Sequence, residues 1–328
     1  MPDSAHAAVE NRLLGMLQSA FPLSRQPYDD MGAALGISGD EVIRRIGDLK
    51  ERGIVRQISP VLDGRKLGFQ STLIALTVDK SSIKNAEEYL TIHPGISHGY
   101  EREHEFNIWV TLSVPPRTNL ISEVKNISTS SHARASIALP AVRVFKLRTN
   151  FSHIENNMEE EDTLSGNGLP GKARLLKADK KVINGLQRDL PLSSDPFARL
   201  ALSLRMDTDE MLAQGRSLLK RGVIRRYGAS INHRNAGFRA NAMTCWKVPA
   251  GSVEKMGHLL AGDRHVSHCY ERGVTGSWLY NLFAMVHSRD RNTCLEIIEK
   301  MAARTGLTDY IALFSVREFK KTRIMYRV

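Results

Sequence analysis

Apolar positions in residues 1–70 recur every three or four residues over three stretches, as on one face of a helix. The stretches are Asn11–Ala20, Tyr28–Leu35 and Gly39–Glu51. Ser38 followed by Glu41 is typical of a capping box at a helix start, and Gly53 stands where a helix C-cap is expected. The next stretch, GIVRQISPVLD (53–63), is typical of a short β-wing. Three helices and a wing predict a winged helix-turn-helix.

The following residues change to strand-like patterns interrupted by two helical ones. The predicted order is strand Thr72–Val78, helix Lys84–Thr91, strand Ile96–Glu103, strand Phe106–Val114, helix Leu120–Ser128 and strand Ala141–Arg148. This βαββαβ order predicts a ferredoxin-like domain, an antiparallel sheet with helices on one face. The other face of the sheet is left to bury a partner or a ligand.

The whole pattern of helices and strands occurs twice in the sequence. FPLSRQPYDDMGAALGIS (21–38) matches LPLSSDPFARLALSLRMD (190–207) at an offset of 169 residues, and ALPAVRVFK (138–146) matches ALFSVREFK (312–320) at 174. We therefore predict an α+β chain that is a tandem duplication of a winged helix-turn-helix plus a ferredoxin-like domain. The predicted units are winged helices at 1–70 and 176–239, ferredoxin-like domains at 71–154 and 240–328, and an acidic, glycine-containing linker at 155–175. The two copies are expected to form a pseudo-dimer, sheet to sheet. A further homodimer of the whole chain stays open.

Composition indicates an ordinary globular protein, with 42% hydrophobic and 25% charged residues. No apolar run approaches the ~18 residues of a membrane span, and the N-terminus lacks a signal pattern, so we expect a cytoplasmic protein without a membrane partner. Cys245, Cys269 and Cys294 lie too far apart for a CxxC metal pair. We expect them to be reduced thiols.

The net charge of +11 is carried by the second copy. Residues 1–165 hold 18 Lys and Arg against 21 Asp and Glu, whereas residues 166–328 hold 28 against 14. Such a surface suits an anionic partner: nucleic acid, an acidic membrane, or a small molecule with many carboxylates or phosphates.

One predicted strand carries polar groups where a sheet usually buries Val and Leu. In ISHGYEREHEFNIWVTL (96–112), His98, Tyr100, Arg102 and His104 occupy alternate positions and so share a face. HCYER (268–272) repeats the pattern in copy two. Polar pairing across an interface would explain it without a catalytic role. The combination of His, Tyr and Arg with flanking aromatics favours a functional site.

Two sets of motifs carry a resemblance to known families. VIRRIGDLKERGIVRQ (42–57) and the Leu-Gly-Phe that closes the wing resemble AsnC/Lrp transcription regulators. HGYEREHEFNIWVTL (98–112) and HCYERGVTGSWLYNLFAMVHS (268–288) resemble the signatures of siroheme decarboxylases, a branch with an AsnC/Lrp-type fold that works as two related subunits. Phe106–Trp109 matches one subunit's form, and Trp278–Phe283 with His287 matches the other's. The chain therefore resembles a fused two-subunit version.

The resemblance implies a carboxy-lyase. The implied reaction removes CO2 from the acetates on C12 and C18 of siroheme, giving 12,18-didecarboxysiroheme for haem d1 or alternative haem biosynthesis. The implied partner is siroheme, and no cofactor or metal is expected beyond the iron of that substrate. Such a site needs cations for the spectator carboxylates, an acid that titrates near neutrality and apolar surroundings.

The motif residues supply those groups. His98 and His268 are the candidate proton donors, or the groups that face the iron, and Arg102 and Arg272 are the candidate carboxylate clamps. The candidate substrate-binding residues are Tyr100, Tyr270, His104, Asn107, Asn281, Trp109 and Trp278, with Phe283 as further flat apolar area. Copy two inserts GVTGS (273–277) before its Trp, which we expect to widen the hairpin for a large ring. This insertion and the basic charge favour His268, with Arg272, as the leading pair.

Two other functions stay open at this point. A DNA-binding regulator would use the third helix of each winged unit, but DEVIRR (40–45) and DTDEML (207–212) open with acids that repel phosphate. Specific DNA is therefore not the expected partner. A tetrapyrrole sensor without catalysis would need the same pocket as the enzyme.

Overall fold

The computed structural model describes residues 2–19, 21–147, 171–231, 240–276 and 278–328; most of the predicted linker lies outside them. The helices are α1 Pro2–Ser19, α2 Pro27–Leu35, α3 Gly39–Glu51, α4 Ile83–Ile92, α5 Leu120–Ser130, α6 Lys177–Leu186, α7 Pro196–Ser203, α8 Thr208–Lys220, α9 Val253–Ala261 and α10 Arg291–Thr305. The strands are β1 Val55–Leu62, β2 Gln70–Thr77, β3 Ile96–Arg102, β4 Ile108–Val114, β5 Ala135–Leu147, β6 Ile224–Ile231, β7 Ala240–Trp246, β8 Val266–Arg272, β9 Leu282–Ser288 and β10 Tyr310–Lys321.

The α+β duplication is confirmed, and the local signals act as the sequence indicates. Ser38 Oγ accepts a hydrogen bond from the Glu41 amide at 3.2 Å and caps α3. Gly53, at φ +66°, takes the left-handed conformation just after that helix. Val42 and Ile46 are buried on the helix's apolar face. Strand β5 begins six residues before its predicted start.

Within the described residues, the wing strand of each winged-helix unit pairs with that of the other copy. Strand β1 pairs antiparallel with β6 of the other copy, with Ser59 opposite Gly228, to form a two-stranded ribbon. Helices α1–α3 and α6–α8 bury their apolar faces in one common core. A strand lies at the predicted wing position of each copy, and its partner among the described strands comes from the other copy.

The two ferredoxin-like sheets close into one barrel. Their strand orders are β3-β4-β2-β5 and β8-β9-β7-β10, and they are joined where β5 pairs with β8 and β10 with β3. None of these eight strands therefore has an unpaired edge. The halves are joined edge to edge at both seams, and the inner faces of their sheets also pack together as one apolar cluster. The sheet face that we expected to be free is therefore the interior of the barrel. Helices α4, α5, α9 and α10 cover the outside.

The ribbon of β1 and β6 is fixed to the end of the barrel where β3 and β8 begin. Arg56 Nη1, on β1, donates to the Lys321 carbonyl at 3.2 Å. Beyond β10 the chain crosses to the ribbon, and Arg323 Nη1 donates to the Ser59 carbonyl at 2.7 Å. The winged-helix layer is therefore held over this end of the barrel.

Candidate active site

The alternate polar residues of β3 and β8 point into the barrel. His98 lies opposite Thr111 and Tyr100 opposite Trp109 across the β3–β4 pair, and cross-strand partners share a face. In copy two His268 lies opposite Met285 and Tyr270 opposite Phe283. A register shift precedes each histidine, at Ser97 and Ser267. β-Bulges of this kind re-aim side chains next to active sites.

Cationic side chains lie at this end of the barrel, on the side that faces the β1–β6 ribbon. Arg56 and Lys321 lie close enough to His98 to lower its pKa, and Arg65 and Arg225 lie close enough to Tyr270 to affect the pKa of its hydroxyl. We call this region the barrel mouth and define it by His98, His268, Tyr100, Tyr270, Arg56, Arg65, Arg225 and Lys321. The histidines and tyrosines keep part of their surface accessible, so the mouth holds space that solvent reaches.

The charges at the mouth are only partly neutralised. Arg225 forms a 2.8 Å ion pair with Asp63, and Arg56 and Lys321 lie 3.7 and 4.0 Å from Glu318. Arg65 is desolvated, and the neighbouring Arg225 adds to the lowering of its pKa, although Asp63 opposes it. A desolvated pair of like charges is unfavourable in the empty protein. A neighbouring anion would relieve this repulsion.

The two histidines face the same space. Burial, then Lys321 and Arg56, lower the pKa of His98 to about 4. Burial, then His98 and Lys321, lower the pKa of His268 to about 4 as well. Each Nδ1 lies within hydrogen-bond distance of its own bulge serine, 2.9 Å from Ser97 Oγ and 2.7 Å from Ser267 Oγ. With pKa values of about 4, both rings are neutral near pH 7.

The lowered pKa values predict a loss of stability in acid. Unfolded histidine titrates near pH 6.5, so between about pH 6.5 and 4 the unfolded chain binds more protons than the folded one. The contribution of the neutral histidines to the free energy of unfolding is complete above that range. It is lost as the pH falls through the range, by at most about 3 kcal/mol per histidine. We expect the His98→Asn/His268→Asn variant to lose less unfolding free energy than the parent between about pH 7 and 4.5 in denaturant titrations. Equal losses would contradict the assignment.

The predicted clamps lie deeper in the barrel, at the seams between copies. Arg102 Nη1 donates to the Leu313 carbonyl at 2.7 Å, and Arg272 Nη1 donates to the Leu139 carbonyl at 2.8 Å. Burial lowers the pKa of both guanidinium groups to about 10, so both stay charged, and each Nε is buried without a hydrogen-bond partner. Arg102 is only 3% exposed, whereas Arg272 keeps accessible surface. Of the two, Arg272 is the better placed to reach a ligand.

An apolar cluster fills the interior of the barrel. It begins level with the histidines, where Leu73 and Met243 lie across the strands from His98 and His268, and it extends to the far end. Its buried members are Leu73, Ala75, Trp109, Ile137, Leu139, Met243, Cys245, Trp278, Phe283 and Leu313. Trp278 packs 5.5 Å from Trp109 and 5.9 Å from Phe106, ring centre to ring centre. The insertion of copy two therefore lets Trp278 reach across and close the barrel. Our expectation that it widens the hairpin for a ring is wrong; Ser277 itself lies outside the described residues.

Several predicted binding residues do not lie at the mouth. Asn107 exchanges hydrogen bonds of 2.9 and 2.7 Å with the Val78 backbone, and Asn281 does the same with Val248 at 2.9 and 2.8 Å. His104 lies in the β3–β4 turn, where its Nδ1 accepts from the Phe106 amide at 3.0 Å. These side chains, with Trp109 and Trp278, build the closed end of the barrel.

A separate surface pocket of about 720 Å³ includes three of the predicted residues, Arg102, His104 and Asn107. It is lined by Lys80, Ile83, Lys84, Glu101, Arg102, Glu103, His104, Asn107, Val316 and Arg317. Its two arginines are engaged: Arg317 is ion-paired with Glu87 and Glu101, and Arg102 donates to the Leu313 carbonyl. In the described part of the chain, no three His, Cys, Asp or Glu side chains cluster as a metal site would require. The three cysteines are buried and form no disulfide.

Comparison with known proteins agrees with this architecture. A family model described as the AsnC-like ligand binding domain matches residues 66–146 and 235–320. A second, described as the siroheme decarboxylase NirDL-like HTH domain, matches residues 10–56 and 179–225. The siroheme decarboxylase of Hydrogenobacter thermophilus is 36% identical over 96% of this chain and 94% of its own length. The chain belongs to the siroheme decarboxylase family. It is a carboxy-lyase.

Other siroheme decarboxylases are similar either to the whole chain or to about half of it. The NirDL subunit of Paracoccus denitrificans is 30% identical over 94% of both chains. The separate beta subunit of Methanosarcina barkeri is 40% identical over 45% of this chain and 97% of its own. The crystal structure of NirDL in co-complex with an iron-uroporphyrin III analogue matches with a TM-score of 0.74 and 33% identity, covering 98% of this chain and 95% of that one. Within the described residues, no helix is long and apolar enough to cross a membrane.

Proposed function

We propose that this siroheme decarboxylase removes CO2 from the C12 and C18 acetates of siroheme at the barrel mouth, giving 12,18-didecarboxysiroheme for haem d1 or alternative haem biosynthesis. One observation carries the proposal: two histidines face one space that is lined by incompletely neutralised cations. The related NirDL structure holds an iron-uroporphyrin III analogue, which supports a polycarboxylate tetrapyrrole as the ligand class for this fold.

The charge at the mouth suits siroheme, which carries eight carboxylates. Arg56, Arg65, Arg225 and Lys321 come from the ribbon side, and Arg272 comes from within the barrel. Carboxylates that do not react can accept charge-assisted hydrogen bonds from these groups. Binding the polyanion also raises the pKa of His98 and His268, because negative charge favours the imidazolium form.

The chemistry requires one proton for each CO2 that leaves. The bond between the acetate carbon and its carboxylate breaks, and the electron pair moves toward the conjugated ring. A histidine then protonates the carbon, which becomes a methyl group. A carboxylate surrounded by buried groups such as Leu73 and Met243 is destabilised relative to neutral CO2.

A single siroheme molecule can serve both histidines. His98 lowers the pKa of His268, so the two rings lie within electrostatic reach of each other in one mouth. The duplication places one histidine from each copy on either side of this space. We infer that the fused chain binds one substrate between its copies rather than one in each copy.

Product analysis tests the positions of reaction. After anaerobic turnover and removal of iron, proton NMR should show two new ring methyls, at C12 and C18, with all propionate side chains intact. Loss of a propionate carboxylate, or a methyl at another acetate position, would contradict the assignment even if CO2 were released.

DNA binding is the alternative function, and the ion pairs of the winged helices argue against it. Arg44 and Arg45, near the start of α3, both bind Glu41, at 2.8 and 2.7 Å. Asp209, in the first turn of α8, is held by Arg25 of the other copy at 2.7 Å. The basic groups near both helix starts are thus engaged with carboxylates that also repel phosphate.

We therefore expect weak, salt-sensitive and sequence-indifferent DNA binding. Fluorescence anisotropy with unrelated duplexes should give similar affinities at low salt, and the signal should vanish near physiological salt. A footprint on one defined palindrome that survives physiological salt would overturn this expectation.

A further inference from the structure

Copy two contains a hydrogen-bonded chain of side chains that the equivalent positions of copy one do not repeat. His287 Nε2 lies 2.7 Å from Ser267 Oγ, and the same hydroxyl lies 2.7 Å from His268 Nδ1. Ser113 occupies the matching position on β4: its amide donates to the Gly95 carbonyl at 2.7 Å, as the His287 amide donates to the His265 carbonyl at 3.0 Å. The backbones are equivalent, so the difference lies in the side chain.

We propose that His287 is a positioning residue that fixes the tautomer of His268 and supplies its Nδ1 with a proton through Ser267. This inference deepens the proposed function and rests on it. A serine hydroxyl both donates and accepts, so Ser267 can join the two imidazoles. When His287 donates to Ser267 and Ser267 donates to His268 Nδ1, the proton of neutral His268 stays on Nε2, where it is free to face substrate.

Each proton that is transferred during a decarboxylation is replaced. As CO2 leaves, His268 gives its Nε2 proton to the acetate carbon. Ser267 gives its proton to His268 Nδ1, and imidazolium His287 gives its Nε2 proton to Ser267 and becomes neutral. A proton from water at His268 Nε2 then drives the chain back and restores the charge on His287. The net change is one proton taken from water for each CO2 released.

The surroundings of His268 explain why a relay is useful. The groups that face it are His98, Lys321, Arg272 and Lys146, with Tyr270 stacked at 6.2 Å. Lys146 donates to the Ala261 and Asp263 carbonyls at 2.6 and 2.8 Å and lies close enough to His268 to lower its pKa. So much positive charge disfavours an imidazolium at His268 itself. A relay lets His268 deliver a proton without first holding the charge.

The decisive variant is His287→Gln. The glutamine amide can still donate to Ser267 Oγ and keep the geometry, but it cannot give up a proton. We expect a kcat lower by about tenfold or more, since general acid groups contribute 10²–10⁴-fold. The rate should also keep rising as the pH is lowered through the range in which the parent has levelled off. Ser267→Ala should show the same defect, and the double variant should be no slower than either single one, because the residues act as a unit.

The controls distinguish a wrong relay from misfolding, from loss of substrate binding and from a wrong decarboxylase assignment. His258→Gln, an exposed histidine on α9, should leave the rate and its pH dependence unchanged. A siroheme titration followed by visible absorption should show parent-like affinity for His287→Gln, and its melting temperature should show that it folds. If His287→Gln turns over with the parent's rate and pH dependence, the relay is wrong while the decarboxylase assignment stands. If the parent releases no CO2, the proposed function fails first.

Discussion

Replacing His268 with alanine should lower the turnover of siroheme by at least about 100-fold, the lower end for loss of a general acid. His268 faces the barrel mouth and is joined through Ser267 to His287, whereas His98 contacts Ser97 alone through its Nδ1 among the described hydrogen bonds. Binding should change little, because the cations that hold the carboxylates remain. Single-turnover assays measure the step directly, with siroheme titrations for affinity.

His98→Ala is the matched variant, because it removes the same ring from the equivalent position of copy one. We expect a smaller loss of rate than for His268→Ala. Equal losses would mean that the histidines contribute alike, one to each decarboxylation or both to each. Parent-like rates in both variants would mean that His98 and His268 have a purely structural role.

Replacing Arg65 with methionine should weaken siroheme binding by about 10- to 100-fold without destabilising the empty protein. Arg65 is desolvated and lies beside Arg225, so its charge is unfavourable until an anion arrives. A hydrogen bond between charged groups contributes about 1.5–3 kcal/mol, which corresponds to that range of affinity. The melting temperature of the ligand-free variant should equal or exceed that of the parent.

Arg199→Met provides the control, since Arg199 is an exposed arginine on α7, outside the mouth. It should leave siroheme affinity unchanged. The affinity of the parent should fall as salt is raised, and that dependence should be shallower for Arg65→Met. Unchanged affinity in Arg65→Met, or a marked loss of stability, would place the binding site elsewhere.

The fold was largely predictable because its signals are local and occur twice. The Ser38 cap, the apolar spacing of Val42 and Ile46, and the repeated HxYxR strand each depend on residues close in sequence. Closure of the barrel was not predictable in this way. It depends on pairing between β5 and β8 and between β10 and β3, which are far apart in the chain or in different copies.

The site was predictable only in part, for the same reason. Side-chain alternation placed His98 and His268 on an inward face, but Arg56, Arg65 and Arg225 join them only when β1 pairs with β6 over the barrel. A weak signal existed, since Arg56 and Arg225 occupy matching positions of the duplicated segments. The motif aromatics were misassigned because period-two spacing gives the face of a residue and not its depth along the barrel.

The central claim is most directly tested by anaerobic incubation of the purified full-length chain with siroheme, followed by mass spectrometry of the tetrapyrrole. The account predicts an intermediate that has lost one CO2 and a final product that has lost two, formed without an added oxidant, cofactor or second subunit. Siroheme that is bound, as judged by its absorption spectrum, but recovered with unchanged mass would contradict decarboxylation and leave a tetrapyrrole-binding protein.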